Sequence, residues 1–201
     1  MGSNYLTSPL AFIITTLFDL YILLVLLRFI LQMLRADFYN TASQFIVKMT
    51  TPPLTVLRRF VPSILGQDSA AIVLCLMIIY AKFIFLRMLE IPVVSIADVP
   101  TPIGLVSYLG LIIYSIADLV SLFISVFLVA SIIQVIISWI NPGQHNPIIS
   151  LVNTITAPIL RPIQKRLPPL GGFDFSTMVA ILALMVAKML IVPPMIQLGS
   201  F

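Results

Sequence analysis

Four long apolar runs, separated by shorter polar segments, dominate the pattern along the chain. They extend over residues 9–34, 70–91, 105–140 and 175–196. A helix needs about 20 apolar residues to cross a bilayer, so each run is long enough for one crossing. The third run exceeds the thickness of a bilayer, and we expect its helix to tilt or to extend into the interface. The pattern therefore predicts an all-α membrane protein with four transmembrane helices.

Two of the polar segments repeat one phrase, TTPPLTVLRRFVPSILGQDSAA at 50–71 and TAPILRPIQKRLPPLGGFDFST at 156–177. A shift of 106 residues superposes these segments and their neighbours without a gap. The matched pairs include Asn40 and Asn146, Pro52 and Pro158, Pro62 and Pro168, Asp68 and Asp174, and Lys82 and Lys188. The chain is thus read as a tandem repeat, with repeat one at 8–91, an outer loop at 92–104 and repeat two at 105–197.

Each repeat contains two spans, so both repeats cross the membrane in the same direction, as parallel repeats do. We expect a pseudo-twofold bundle of four helices with two structurally similar connecting loops. The starts of the first and third spans match with a shift of 99 instead, which pairs Asp19 with Asp118. This difference predicts a seven-residue insertion in the third span. Such an insertion would lift Asp118 by about 10 Å relative to Asp19.

The repeated loop has an amphipathic pattern in both copies. In the first copy the apolar side is predicted to consist of Phe45, Ile46 and Met49. Each loop is expected to form a short amphipathic helix that ends near Pro52 or Pro158, followed by a second short segment. Asp68 and Asp174 precede the next spans and are expected to cap those helices through their side chains.

The charges are few and unevenly distributed. The chain is 60% hydrophobic and 9% charged, with a net charge of +4. The first and third connections carry the basic residues, including Arg58, Arg59, Arg161, Lys165 and Arg166, whereas the second connection carries none. The positive-inside rule then places these connections in the cytoplasm and both termini in the periplasm. These side chains suit anionic lipid headgroups rather than nucleic acid. The loops could serve as an interfacial anchor, as a docking surface for a partner, or as a re-entrant element lining a pore.

Polar and ionisable residues within the spans are costly in lipid and are functional candidates by default. The candidates are Asp19, Arg28, Lys82, Asp118, Gln134 and Lys188. Residue counting places Asp19 and Lys82 at similar depths, which predicts an ion pair between them. For Lys188 the candidate partners are Ser125, Ser131, Gln134 and Asp19. Arg87 and Glu90, one turn apart, are expected to pair or to snorkel. The intramembrane charges are interpreted either as structural pairing between helices or as an ion path.

The sequence contains no recognisable catalytic or metal-binding pattern. It has one histidine, His145, and one cysteine, Cys75, so it can form no disulfide within the chain. It lacks a His/Cys cluster and a glycine-rich phosphate loop. We therefore expect a protein that is not an enzyme and that needs no cofactor or metal.

The two phrases NTASQFIVKMTTPPLTVLRRFVP at 40–62 and SWINPGQHNPIISLVNTITAPILRPIQKRLPPLGGFDFS at 138–176 resemble the YggT family of bacterial inner-membrane proteins. The resemblance implies a role in tolerance of osmotic stress and in ion homeostasis. It favours an accessory or scaffold protein that docks on a larger membrane protein complex. Two alternatives remain. One is a homo-oligomeric ion channel or transporter component with an intramembrane Asp/Lys/Arg path. The other is an assembly factor for membrane complexes or cell division.

Overall fold

The computed structural model describes residues 4–37, 39–63, 66–91, 93–140, 146–166 and 175–200. Pro168 and Asp174 lie outside these ranges. Within them the elements are α1 (Asn4–Met33), α2 (Thr41–Leu57), α3 (Ser69–Met88), β1 (Val93–Ile96), β2 (Val99–Pro102), α4 (Tyr108–Ile140), α5 (Pro147–Gln164) and α6 (Phe175–Gly199).

Four of the helices can cross a membrane. The apolar stretches long enough to do so are Pro9–Met33, Ser69–Met88, Tyr108–Ser138 and Phe175–Gly199, which lie in α1, α3, α4 and α6. They coincide with the four runs of the hydropathy pattern, so the predicted spans are confirmed. The protein is a multi-pass membrane protein. We call the side with α2 and α5 the basic side and the opposite side the hairpin side.

The helix bounds show two repeats of equal length. Shifted by 106 residues, α1 would cover 110–139, and α4 covers 108–140. The same shift carries α2 to 147–163, and α5 covers 147–164. The predicted seven-residue insertion in the third span is therefore wrong. The match at a shift of 99 arose because both spans place an aspartate in an apolar run, at positions that are not equivalent.

The four spans lie in the order α1, α3, α4, α6. Helix α3 packs on both α1 and α4, and α4 packs most extensively on α6. A closed bundle would also need α6 against α1, but this pair is not among the extensively packed helices of the described residues. The predicted four spans in two tandem repeats are present, and they pack as an open row rather than as a ring. A physical reason is that Asp118 anchors α4 to α3, whereas the equivalent position on α1 is Phe12, which offers no charge to α6.

Helices α4 and α6 approach most closely on the hairpin side. A Cβ atom added to Gly110 would lie 2.3 Å from the carbonyl oxygen of Gly199, and one added to Gly199 would lie 2.6 Å from the Tyr114 ring. Real Cβ atoms do not tolerate such distances. The two glycines therefore set the separation of these helices at this end.

The connection between the repeats is an antiparallel β-hairpin, where the sequence predicted only a loop. Strand β1 pairs with β2, and Ile96 faces Val99 across the turn. The turn residues Ala97 and Asp98 have φ values of 53° and 66°. Positive φ at both central residues is the type I′ pattern that matches strand twist. Ile96 is fully buried, so the hairpin belongs to the packed structure.

Helices α2 and α5 begin in the same way. The side chain of Asn40 accepts a hydrogen bond from the Ala42 amide at 2.9 Å, and that of Asn146 from the Ile148 amide at 3.0 Å. Both are asparagine N-caps, so the two loops share their starting geometry.

The prolines lie within α2 and α5 and do not end them, contrary to the prediction. Pro52 and Pro158 are both helical. An internal proline removes a backbone hydrogen bond. In α2 the neighbouring turn is instead supported by hydroxyl groups, since Thr50 Oγ1 donates to the Ile46 carbonyl at 2.7 Å. Phe45, Ile46 and Met49 were predicted to form one apolar side of α2. Ile46 is instead buried in the core, whereas Phe45 and Met49 are exposed.

Candidate functional site

Three spans meet at Lys82, which lies in the half of α3 nearer the hairpin side. Its Nζ lies 2.7 Å from Asp19 Oδ1 on α1 and 2.8 Å from Asp118 Oδ2 on α4. The predicted ion pair between Asp19 and Lys82 is therefore present. The Lys82 side chain is 5% exposed, whereas that of Asp19 is 44% exposed. We call these three residues the charged trio, and it carries one more carboxylate than cation.

Asp118 was not expected to reach Lys82. The residue count placed Asp118 about 10 Å from the level of Asp19. In the structure both carboxylates contact the same ammonium nitrogen. Helix α4 is therefore displaced along its axis relative to α1. Counting residues along separate helices cannot supply that displacement.

Lys188 is the repeat equivalent of Lys82 but has different partners. It donates to Ser125 Oγ at 3.1 Å, which was one of the alternatives predicted. The sequence separation of 63 residues equals that between Asp19 and Lys82, so Ser125 stands where repeat one has Asp19. Asp98 at the hairpin tip lies 3.9 Å away and is 98% exposed. Repeat two thus replaces a strong internal ion pair with a neutral hydrogen bond and a distant carboxylate.

Arg28 and Gln134 occupy equivalent positions near the basic side, and each links a span to its loop helix. Arg28 Nη1 donates to the Val47 carbonyl at 3.1 Å, to Thr50 Oγ1 at 3.0 Å and to Thr51 Oγ1 at 2.9 Å. The Thr156 hydroxyl donates to Gln134 Oε1. Thr50 and Thr156 are themselves related by the shift of 106. Arg28 and Gln134 were predicted as polar residues within the spans, but their threonine partners were not, although the shift of 106 relates both residues of each contact.

Asp68 forms an ion pair with Arg58 instead of capping α3 with its side chain. It occupies the N-cap position but makes no side-chain capping bond, and its carboxylate binds the Arg58 guanidinium. A hydrogen bond between two charged groups is roughly twice as strong as one between neutral groups, which explains the preference. The pair links α2 to α3, so Arg58 is a structural residue as well as a basic one.

The remaining predicted residues have simpler surroundings. The exposed basic side chains of the basic side include Arg59, Arg161, Lys165 and Arg166. The Pro62 carbonyl accepts a hydrogen bond from the Ser69 hydroxyl. Asn40 also donates to the Pro147 carbonyl at 2.6 Å, which joins the starts of α2 and α5. Arg87 donates to the Val106 carbonyl at 2.9 Å rather than pairing with Glu90.

The chain was compared with known proteins. The profile of the CCB3/YggT family matches residues 7–89 and 113–195, two segments that again differ by 106. An uncharacterised protein of Pseudomonas aeruginosa is 45% identical over 188 residues, covering 93% of this chain and 90% of the relative. A relative encoded in the proC 3′ region of Vibrio alginolyticus is 36% identical over 183 residues, covering 91% of this chain and 93% of the relative.

The YggT protein of Escherichia coli K12 is 33% identical over 184 residues, covering 90% of this chain and 88% of the relative. No solved structure matches the chain. The family profile covers most of the chain and agrees with the repeat seen in the helix bounds. The chain therefore belongs to the CCB3/YggT family.

Proposed function

We propose that this protein is a non-enzymatic accessory or scaffold protein that docks on a larger membrane protein. The observation that supports the proposal is the exposure of Asp19, at 44%, beside a lysine that is 5% exposed. A carboxylate facing lipid in the middle of a span is costly. Contact with a second protein that offers a hydrogen-bond donor would remove that cost.

The surroundings of Asp19 suit helix docking. Helix α1 lies at one end of the row of four spans. Four of its residues lie on one outward side of the helix, because the second, third and fourth follow the first by four, seven and eight positions. We call this side the α1 face, and it consists of Phe12, Thr16, Asp19 and Leu20. Phe12 is 70% exposed and Leu20 56% exposed. An apolar stripe with a small hydroxyl and one charge is typical of interfaces between transmembrane helices.

A photo-crosslinking amino acid at Thr16 tests the proposal in native membranes. We expect a crosslink to a larger membrane protein that weakens when Asp19→Asn is added. The same crosslinker at Met189, 73% exposed on α6, is the matched control and should capture mainly lipid. Equal protein capture at both positions, or lipid alone at Thr16, would contradict the proposal.

A transport role is the second candidate, because the same half-exposed charge could belong to an ion path in a homo-oligomer. Lys82→Met and Lys188→Met distinguish the two functions. If the protein conducts ions, flux into liposomes containing it should collapse in these variants. If it is an accessory protein, the unmodified chain gives no flux above that of empty liposomes, and the variants lose partner binding or stability instead.

The proposal includes a location and an orientation. The protein is placed in the bacterial inner membrane with both termini in the periplasm and the basic side in the cytoplasm, supported by the positive-inside rule. The exposed apolar residues of α2, Phe45 at 56% and Met49 at 48%, would enter the interface while Arg59 and Lys165 contact anionic headgroups. A cysteine at position 59 should then be labelled only after the cytoplasmic face is opened. One at position 98 should be labelled in intact spheroplasts.

The cellular process is proposed from family resemblance. It is osmotic and ion homeostasis, with assembly of membrane complexes or cell division as the alternative. The identity of the protein that crosslinks to Thr16 would decide between these processes.

A further inference from the structure

Arg28 is a span cation that forms no ion pair among the described residues. The ion pairs of the described residues join Arg58 to Asp68, Lys82 to Asp19 and Asp118, and Lys188 to Asp98. Arg28 instead donates, through Nη1, to one carbonyl and two hydroxyl oxygens, which are neutral. Charges within a membrane protein are ordinarily paired with one another or with backbone carbonyls, and here only Nη1 of the guanidinium has such partners among the described residues. The positive charge of Arg28 is thus held in place by neutral acceptors, and Asp68, the carboxylate that acts on it electrostatically, is already paired with Arg58.

A cavity of about 350 Å³ opens beside this guanidinium. Its polar lining consists of Arg28, Gln32 and Ser43, and apolar residues such as Leu31 and Ile46 form the rest of the wall. Ser43 is 2% exposed, and its hydroxyl has no hydrogen-bond partner. An unsatisfied buried hydroxyl costs about 1–3 kcal/mol. Its presence in the same cavity is a second, independent indication that a polar group belongs there.

We propose that this cavity binds one phosphate group, as carried by the headgroup of an anionic phospholipid. The Arg28 guanidinium supplies the opposite charge, and Ser43 and Gln32 supply neutral donors. Arg28 lies five residues from the end of α1 at Met33, or about 8 Å along the axis, close to where headgroups meet the hydrocarbon. The apolar wall suits the glycerol and the first acyl carbons. A free phosphate ion could make the same contacts with the polar lining, but it would leave the apolar wall of the cavity without a partner.

Repeat two has a different lining at the equivalent place, where Gln134, Ser138 and Ile149 line a larger cavity that also contains Arg161. The shift of 106 replaces Arg28 by Gln134, Gln32 by Ser138 and Ser43 by Ile149. The cation and the buried hydroxyl are both lost at these positions, so each chain should bind one phosphate group in this way. The same comparison provides substitutions that the fold already accepts at equivalent positions.

The test is native mass spectrometry of the delipidated full chain with phosphatidylglycerol, phosphatidylcholine or inorganic phosphate added. We expect one phosphatidylglycerol per chain, and about tenfold weaker binding in R28Q and in S43A. Lys48→Gln removes an exposed cation from α2 on the same side and should leave this binding unchanged. Displacement of the lipid by inorganic phosphate would identify free phosphate as the ligand.

Several results would overturn the proposal. These are equal binding of phosphatidylcholine, no saturation at one lipid, or a loss in Lys48→Gln as large as that in R28Q. Folding is checked separately, because the buried Cys75 stays protected from thiol reagents only in the folded chain. If R28Q does not fold, S43A alone decides, since it keeps every hydrogen bond of Arg28. The result is independent of whether the α1 face binds a partner.

Discussion

Lys82 and Lys188 show how the same residue at equivalent positions acquires different energetics. Lys82 has two carboxylates within 2.8 Å, whereas Lys188 has a hydroxyl at 3.1 Å and an exposed carboxylate at 3.9 Å. Removing one side of a buried ion pair leaves the other side uncompensated, which is far more costly than losing a neutral hydrogen bond. The two lysines should therefore respond very differently to the same substitution.

Lys82→Met should destabilise the fold by about 3–5 kcal/mol, because it leaves Asp19 and Asp118 facing each other without a cation. Lys188→Met should cost about 1 kcal/mol, the value of one neutral hydrogen bond. Thermal unfolding in detergent can be followed with a thiol-reactive dye, since Cys75 is the only cysteine and is buried. Adding Asp19→Asn and Asp118→Asn to Lys82→Met should recover most of the loss. Equal effects of the two lysine substitutions would contradict this account.

Part of the charged trio was predictable from the sequence. Asp19 and Lys82 are on sequential helices joined by one loop, so counting residues from that loop placed them at similar depths. Asp118 was not predictable in this way, because its height depends on how repeat two is displaced against repeat one. The contacts of Arg28 with α2 were not foreseen either, because they depend on how α2 folds back against α1.

At the scale of the helices and the hairpin, features set by local sequence were predictable, whereas features set by contacts between distant residues were not. The four spans and the two asparagine caps follow from local pattern and were found. The hairpin was missed, because its turn uses Ala97 and Asp98 rather than the glycine and asparagine that usually mark a type I′ turn. The continuation of α2 past Pro52 was missed for another reason. The hydroxyl groups and the Arg28 contact that support that helix appear only in the folded chain.

Gly110→Ala should separate the ends of α4 and α6, since its Cβ would lie 2.3 Å from the Gly199 carbonyl oxygen. We expect a loss of about 1–3 kcal/mol, the usual cost of overpacking. This would occur even though alanine is a better helix former than glycine. The dye assay on Cys75 measures it. Leu109→Ala, at a neighbouring position that is 73% exposed, is the control and should change stability little. A neutral or stabilising Gly110→Ala would show that the two helix ends shift apart without cost.

At the scale of the whole molecule, the two repeats are joined by only a few contacts, because the four spans pack in a row. Helix α3 packs on α4, α2 packs on α5, and the charged trio joins α1 and α3 to α4. The covalent link is the hairpin, whose tip at Asp98 is almost fully exposed. The two halves should therefore recognise each other without the turn.

Co-expression of residues 1–97 and 98–201 as separate chains tests this expectation. The halves should co-purify from membranes, because exposed turn tips tolerate chain breaks and the inter-repeat contacts remain. Asp118→Asn in the second half should lower recovery of the first by about tenfold, since it replaces a carboxylate that pairs with Lys82 by a neutral amide. Asp37→Asn, an exposed carboxylate on the basic side, is the control. Halves that do not associate would show that the hairpin turn itself holds the repeats together.

The charged trio also has a consequence for synthesis of the chain. Asp19 leaves the ribosome 63 residues before Lys82, and Asp118 follows Lys82 by 36 residues. The first helix therefore reaches the bilayer with a carboxylate whose cation has not yet been translated. When Lys82 arrives the pair becomes neutral, and the helix with Asp118 then brings in a second negative charge. The insertion machinery must shelter two helices in turn until each finds the same lysine, so the order of translation is itself part of how this protein reaches its native state.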